Sequence, residues 1–148
     1  KGFTRDDFST YHPGGKLGKK LLKVGDIMQK WENLPFADLE DRMDKVILTM
    51  TEKNLGCVIV MDEKAGRLAG IITDGDLRRH MSTDLLSKYA MDVMSKNPKT
   101  IRAEALAAEA VNVMTKTPGK YFTSLIVIDD SNKFGLIRLQ DCVQAGLL

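Results

Sequence analysis

A chain of 148 residues suffices for one compact domain, or for two small repeats that share a core. Its 43% apolar and 28% charged residues exclude the low hydrophobicity of a disordered chain. The net charge is only +2, with Lys and Arg scattered among Asp and Glu, so there is no electrostatic footprint for nucleic acid.

The first 23 residues stand apart from the remainder of the chain. The opening Lys1-Gly2-Phe3-Thr4-Arg5-Asp6-Asp7-Phe8 is charged, lacks Met and is unlike a signal peptide, so it reads as the start of an excised piece. Gly2, Pro13, Gly14, Gly15 and Gly18 break residues 1–23 into short pieces, as in a linker or the tail of a preceding domain. Gly14 to Lys20 looks like a phosphate loop at a glance. However, Pro13 stands where the first glycine belongs and Lys20 where a magnesium-binding hydroxyl belongs, and no apolar strand precedes, so that reading is rejected.

From residue 24 the chain repeats itself with a period of roughly 65 residues, a pair of copies in place of a solenoid. Each copy opens with a related segment, Asp26-Ile27-Met28-Gln29-Lys30 and Asp92-Val93-Met94-Ser95-Lys96, expected to form a short helical turn. An amphipathic helix follows: Met43, Val46, Ile47 and Met50 share one face, as do Leu106, Ala110, Val113 and Met114. Next come Cys57 to Met61 and Ser124 to Ile128, apolar at nearly every position, as strands covered on both faces require. Turn-rich segments, Asp62 to Gly66 and Asp129 to Lys133, lead into second strands, Leu68 to Thr73 and Gly135 to Arg138. Closing helices are expected at Asp74 to Met81 and Leu139 to Ala145. The fold class is therefore α/β (α+β), two pseudo-symmetric β-α-β-β-α repeats over 24–83 and 84–148. Each repeat is too small to be comfortable alone, so the two are expected to pack as a pair and leave a cleft.

Cys57 and Cys142 form no Cys-x-x-Cys pair, no His stands at metal-ligand spacing, and the longest apolar runs are strand-length. These features indicate no disulfide framework, zinc site or membrane span, and the two cysteines suit a reducing cytoplasm.

The sharpest local feature is Gly70-Ile71-Ile72-Thr73-Asp74-Gly75-Asp76-Leu77-Arg78-Arg79, where a buried strand ends in a hydroxyl and two carboxylates. One reading is structural: Thr73 and Asp76 form a capping box for the next helix. The other is functional: a hydroxyl and a carboxylate at a strand's carboxyl end can hold sugar hydroxyls, with a helix start nearby for phosphate. A purely structural cap should recur, yet the second copy reads Gly135-Leu136-Ile137-Arg138-Leu139-Gln140-Asp141. Arg138 cannot accept an N–H bond but can clamp a phosphate or carboxylate; a solvated surface side chain is the plainer alternative.

The two copies, each with an apolar strand, a glycine, a second strand and a terminal acidic residue, resemble a tandem cystathionine-β-synthase (CBS) domain pair. In that family the Thr-x-x-Asp at the end of the last strand contacts the ribose of a nucleotide in the inter-repeat cleft. The resemblance implies that Thr73 and Asp76, with Asp74 beside them, bind the ligand. Gly56 and Cys57 and the extended segment at Leu34 and Pro35 would line the same site, and Arg138 and Asp141 would mark its counterpart, where Arg138 departs from the pattern.

The N-terminal string His12-Pro13-Gly14-Gly15-Lys16-Leu17-Gly18, together with Thr73-Asp74-Gly75-Asp76-Leu77-Arg78-Arg79, resembles D-arabinose-5-phosphate isomerases of the sugar-isomerase (SIS) family. These carry an isomerase domain upstream of a CBS pair and interconvert ribulose 5-phosphate and arabinose 5-phosphate, a precursor of the lipopolysaccharide sugar Kdo. The resemblance implies that His12 reaches the active site of the full-length protein, since isomerisation needs a base near neutral pKa. By composition alone a His in a Gly-rich loop is an exposed turn residue. The fragment lacks the catalytic domain and is expected to be inactive by itself. No cofactor is required; the expected effector is CMP-Kdo or another nucleotide, and the expected partners are the upstream SIS domain of the same chain and further copies in a homo-oligomer. The rival expectation is an oligomerisation scaffold with no tight ligand.

Overall fold

The computed structural model describes residues 21–131 and 133–148. In chain order the first half holds α1 (Val24–Ile27), a 3-10 turn (Trp31–Asn33), β1 (Phe36–Asp38), α2 (Met43–Lys53), β2 (Cys57–Asp62), β3 (Arg67–Thr73) and α3 (Asp74–Arg79). A second 3-10 turn (Leu85–Ser87) is followed by α4 (Ala90–Val93), β4 (Ser95–Lys96), β5 (Thr100–Arg102), α5 (Ala107–Lys116), β6 (Ser124–Ile128), β7 (Phe134–Arg138) and α6 (Leu139–Gln144). The β-α-β-β-α order expected of each repeat is present.

The chain divides into two compact units, and their boundaries are offset from those of the sequence repeats. One unit is Glu32–Pro98; the other joins residues 21–31 to Lys99–Leu148. Each repeat's opening segment therefore belongs to the unit built mainly from the other repeat.

In the Glu32–Pro98 unit the sheet order is β1-β2-β3-β4. β1 and β2 run parallel and are joined by α2, whereas β2, β3 and β4 are antiparallel neighbours. Met43, Val46 and Met50 of α2 pack with Val58 and Val60 of β2 and Ile72 of β3. Cys57, Val58, Ile59 and Val60 are all fully buried, so β2 is covered on both faces, as its unbroken apolar run requires. Between β2 and β3 the chain turns on Gly66, whose φ of +68° favours glycine.

The other unit repeats this plan with sheet order β5-β6-β7, β5 parallel to β6 and β6 antiparallel to β7. Here Gln29 pairs with Leu136, its N–H donating at 2.7 Å and its carbonyl accepting at 3.0 Å. In the first unit Ser95 of β4 pairs with Ile71 in the same position. The buried face of α5 is Ala107, Ala110, Val111 and Met114. Leu106, expected on that face, is the exposed N-cap, and Val113 is only half-buried, so the apolar stripe is rotated from its expected position.

The short helical turns begin two residues earlier than expected, at Val24 and Ala90. Asp26 and Asp92 are their third residues, each accepting the N–H of its N-cap, Lys23 at 2.8 Å and Tyr89 at 2.9 Å. Ser95 and Lys96 are strand in place of helix because their backbone completes the sheet edge. Two glycines permit this approach. A Cβ at Gly70 would lie 2.6 Å from the Ser95 carbonyl oxygen and 2.8 Å from Met94 Sδ; at Gly135 it would lie 2.6 Å from Met28 Sδ and 3.1 Å from the Gln29 carbonyl oxygen.

Since the obstructing atoms include backbone, Gly70→Ala is expected to cost about 1–3 kcal/mol, and Gly135→Ala a similar amount. Urea unfolding of each variant checks this; wild-type stability in both would disprove the close docking.

Candidate functional site

Seven of the residues singled out from the sequence meet at one end of the β1-β2-β3 sheet. Leu34 and Pro35 lead into β1, and the Pro35 carbonyl accepts the N–H of Ile59 at 3.0 Å. Gly56 and Cys57 lead into β2, and Cys57 pairs with Thr73, the last residue of β3. Asp74 and Asp76 follow in the first turn of α3. Leu34, Pro35 and Cys57 are buried; Thr73 is half-buried, and Gly56 and Asp74 are exposed.

The two carboxylates behave differently. Asp76 is 3% exposed. Its Oδ2 accepts the Thr73 N–H at 2.9 Å and the Thr73 hydroxyl at 3.1 Å; its Oδ1 accepts the Ser95 hydroxyl at 2.7 Å and Arg79 Nη2 at 2.5 Å. In return the Thr73 Oγ1 accepts the Asp76 N–H at 3.3 Å, which completes the capping box. Burial pushes the Asp76 carboxyl up, but the Thr73 N–H, the Ser95 hydroxyl, the Arg79 guanidinium and the Thr73 hydroxyl outweigh it and hold the group below its ordinary value. The Asp74 carboxylate takes no hydrogen bond or ion pair among the described residues. Its Oδ2 is 3.8 Å from where a Cβ would stand at Gly56, whose φ of +78° is itself a glycine conformation.

At the matching end of β7, Asp141 is 5% exposed and accepts the Arg138 N–H at 2.9 Å. The guanidinium of Arg138 folds back onto this carboxylate, Nε to Oδ2 at 3.2 Å and Nη2 to Oδ1 at 2.8 Å, and Nη1 reaches Gln140 Oε1 at 3.3 Å. Gln29 Nε2 also donates to Asp141 Oδ1 at 3.0 Å. Half of the capping box thus recurs, since an Arg side chain accepts nothing but the carboxylate still takes the N-cap N–H. Arg138 is not a solvated surface residue: its side chain is 15% exposed and engaged on Asp141.

Gln29, Ser95 and Arg79 are the residues that sequence reasoning left without a role. Gln29 and Ser95 occupy the same place in the two opening segments, and this polar position inside an otherwise apolar motif was the available signal. Both cysteines are buried, and burial, then the Asp141 carboxylate, push the Cys142 thiol up to about 11. Among the described residues no group of three or more His, Cys, Asp or Glu could hold a metal ion, and no helix is long and apolar enough to cross a membrane. His12 and the Gly14 to Lys20 stretch lie outside the described residues.

Two mixed sheets of this topology, each ending in a capped carboxylate, define a tandem module, and the chain matches the CBS domain family over residues 24–83 and 90–147. It belongs to that family. Among curated relatives, an uncharacterized protein of Rickettsia prowazekii, RP505, is 40% identical over 147 residues, 99% of this chain and 45% of its own length. The arabinose 5-phosphate isomerase KdsD of Pseudomonas aeruginosa is 41% identical over 152 residues, all of this chain and 45% of its own. The chain spans about half the length of these relatives. Among solved structures, the CBS domain of a bacterial CNNM/CorC family Mg2+ transporter in complex with ATP has a TM-score of 0.74 at 15% identity, covering 97% of this chain and 98% of that one. CBSX2, a protein of Arabidopsis thaliana solved in complex with AMP, has a TM-score of 0.69 at 24% identity over 85% of this chain and 96% of that one. At these identities the structures speak to fold alone.

Because the folded pKa of Asp76 is lowered, its stabilisation is complete above the unfolded value of about 3.9 and is lost as pH falls through the folded value. Asp76→Asn is expected to be less stable than wild type at pH 7, with the difference shrinking below about pH 4. Unfolding free energies from pH 7 to pH 2.5 check the sign; a difference that grows toward acid pH would contradict it.

Proposed function

We propose that this chain is the regulatory part of an arabinose 5-phosphate isomerase and that it senses a nucleotide or nucleotide sugar at the strand end formed by Gly56, Thr73 and Asp74. The single observation carrying this reading is the unengaged carboxylate of Asp74 beside the exposed Gly56 backbone. A ribose offers two adjacent hydroxyl donors, and a carboxylate can accept both only if its oxygens are not already taken. Asp74 has both oxygens open, and it stands beside Thr73 and Asp76, the pair to which the family resemblance assigns the ribose. The Thr73 oxygen, whose hydrogen points at Asp76, keeps acceptor capacity toward a ligand. The buried Leu34, Pro35 and Cys57 supply an apolar floor.

Identity with KdsD across the whole chain supports the assignment to an isomerase, and the adenine nucleotides in two structural relatives support the ligand class. Within this reading, an upstream SIS domain performs catalysis with His12 in attendance, the assembly is a homo-oligomer, and the effector is CMP-Kdo, an activated end product that would act as a feedback signal. Coupling of this kind is typically worth about 1–3 kcal/mol.

Calorimetric titration of the chain with AMP, ATP, CMP and CMP-Kdo tests the proposal. Binding by at least one of them is expected, and Asp74→Asn should weaken it roughly tenfold or more while changing stability by less than about 0.5 kcal/mol. Asp74 is the better probe than Asp76, whose loss also breaks the capping box. Absence of binding at millimolar ligand would leave the scaffold reading in its place.

A further inference from the structure

We infer that residues 22–31 are a strap that ties the chain preceding them to the β5-β6-β7 sheet, and not to the β1-β2-β3-β4 sheet that follows them in sequence. Its bearing on a preceding isomerase domain rests on the function proposed above; the anchorage itself does not. In sequence these residues open the first repeat, and Trp31 adjoins Glu32, where the first unit begins. Among the described residues, however, every backbone hydrogen bond that leaves residues 22–30 ends on residues 103–136. The Leu22 carbonyl accepts the Ala107 N–H at 2.8 Å, the Val24 N–H donates to the Ala105 carbonyl at 2.8 Å, and the Gly25 N–H donates to the Ala103 carbonyl at 2.9 Å. Further along, Gln29 makes its two-bond pair with Leu136 of β7. The strap is thus fastened at both ends, one on the approach to α5 and the other on β7.

Side chains fasten the stretch between. Val24 is fully buried in one core with Ile101, Ala110, Met114 and Leu125, and Ile27 and Met28 pack against that core. A Cβ at Gly25 would stand 3.3 Å from the Ala103 carbonyl oxygen, so the two backbones lie close. Trp31 stacks on Phe134 at the start of β7, with ring centroids 6.1 Å apart and 25° between the planes. A helix of four residues has no stability of its own, so the strap is ordered through these contacts and opens only with the core that it completes. A displacement of the β5-β6-β7 sheet is therefore passed to residue 21, ahead of which the chain continues.

Native-state hydrogen exchange of the full chain, read residue by residue by NMR, tests the anchorage without any ligand, so a failure of the nucleotide proposal leaves it untouched. Once intrinsic rates are divided out, the amides of Val24, Gly25 and Gln29 should exchange within about tenfold of Ile126, whose N–H donates to the Lys99 carbonyl in the same unit. Faster exchange than that would overturn the inference, since the strap would then open by itself. Val24→Ala removes a buried side chain from the shared core and should raise exchange of Gly25, Gln29 and Ile126 by a common factor, about tenfold or more. A rise confined to the strap would count against it equally. Insertion of two glycines between Trp31 and Glu32 separates the two possible anchors. Protection of Val24, Gly25 and Gln29 should stay within about tenfold of wild type, because the strap does not depend on its covalent link to the first unit. Its loss, with Ile126 still protected, would show that the strap is held through residue 32, and the inference would fall.

Discussion

Two buried carboxylates, Asp76 and Asp141, set the conditions that the rest of each unit must satisfy. Removed from water and left without donors, a carboxylate costs several kcal/mol, more than a small domain can spare. Each is therefore surrounded by an N–H from the strand's last residue, an arginine, and a polar side chain from the opening segment of the other repeat. The strand must end three residues before the carboxylate so that its N–H is in reach, and the helix must begin between them. The positions of β3, α3, β7 and α6 follow from one electrostatic requirement met twice.

The same requirement explains why the units of folding are not the units of repetition. A four-residue helix followed by a two-residue strand has no stability of its own, so the opening segments exist only where they dock. They dock by placing Ser95 against Asp76 and Gln29 against Asp141, and by lying against a glycine, Gly70 or Gly135, that leaves room for backbone. A cut between residues 83 and 84, natural from the repeat alone, would part Asp76 from Ser95 and Gly70 from Met94. The compact unit that keeps these contacts runs from Glu32 to Pro98.

Much of this was legible in the sequence, and the reasons are local. β2 and β6 are apolar at nearly every position because both faces are covered, and α2 carries its buried residues at helical spacing, so both were visible without coordinates. The capping box at Thr73 and Asp76 was also readable, its two members standing only three positions apart. What escaped notice depends on contacts distant in sequence. Ser95 and Lys96 carry no strand signal of their own; they are extended because β3 offers them an edge. The exposure of Leu106 follows from where α5 starts, and Arg138 could not be recognised as the partner of Asp141 before the burial of that carboxylate was known.

The strand end at Thr73 was open to two readings, a structural cap and a ligand site, and the geometry shows the cap in place at Asp76. A carboxylate that accepts four donors is fixed in place, and fixed charge makes a good support. Asp76 has this character, and its rigidity is what holds Thr73 and the first turn of α3 in position. Asp74, two residues earlier, stands outside that network with its acceptors unengaged. In the second repeat the support survives as Asp141, while Leu139 stands in the position of Asp74. The buried acid thus meets the same requirement in both units, whereas the exposed acid is present in the first alone.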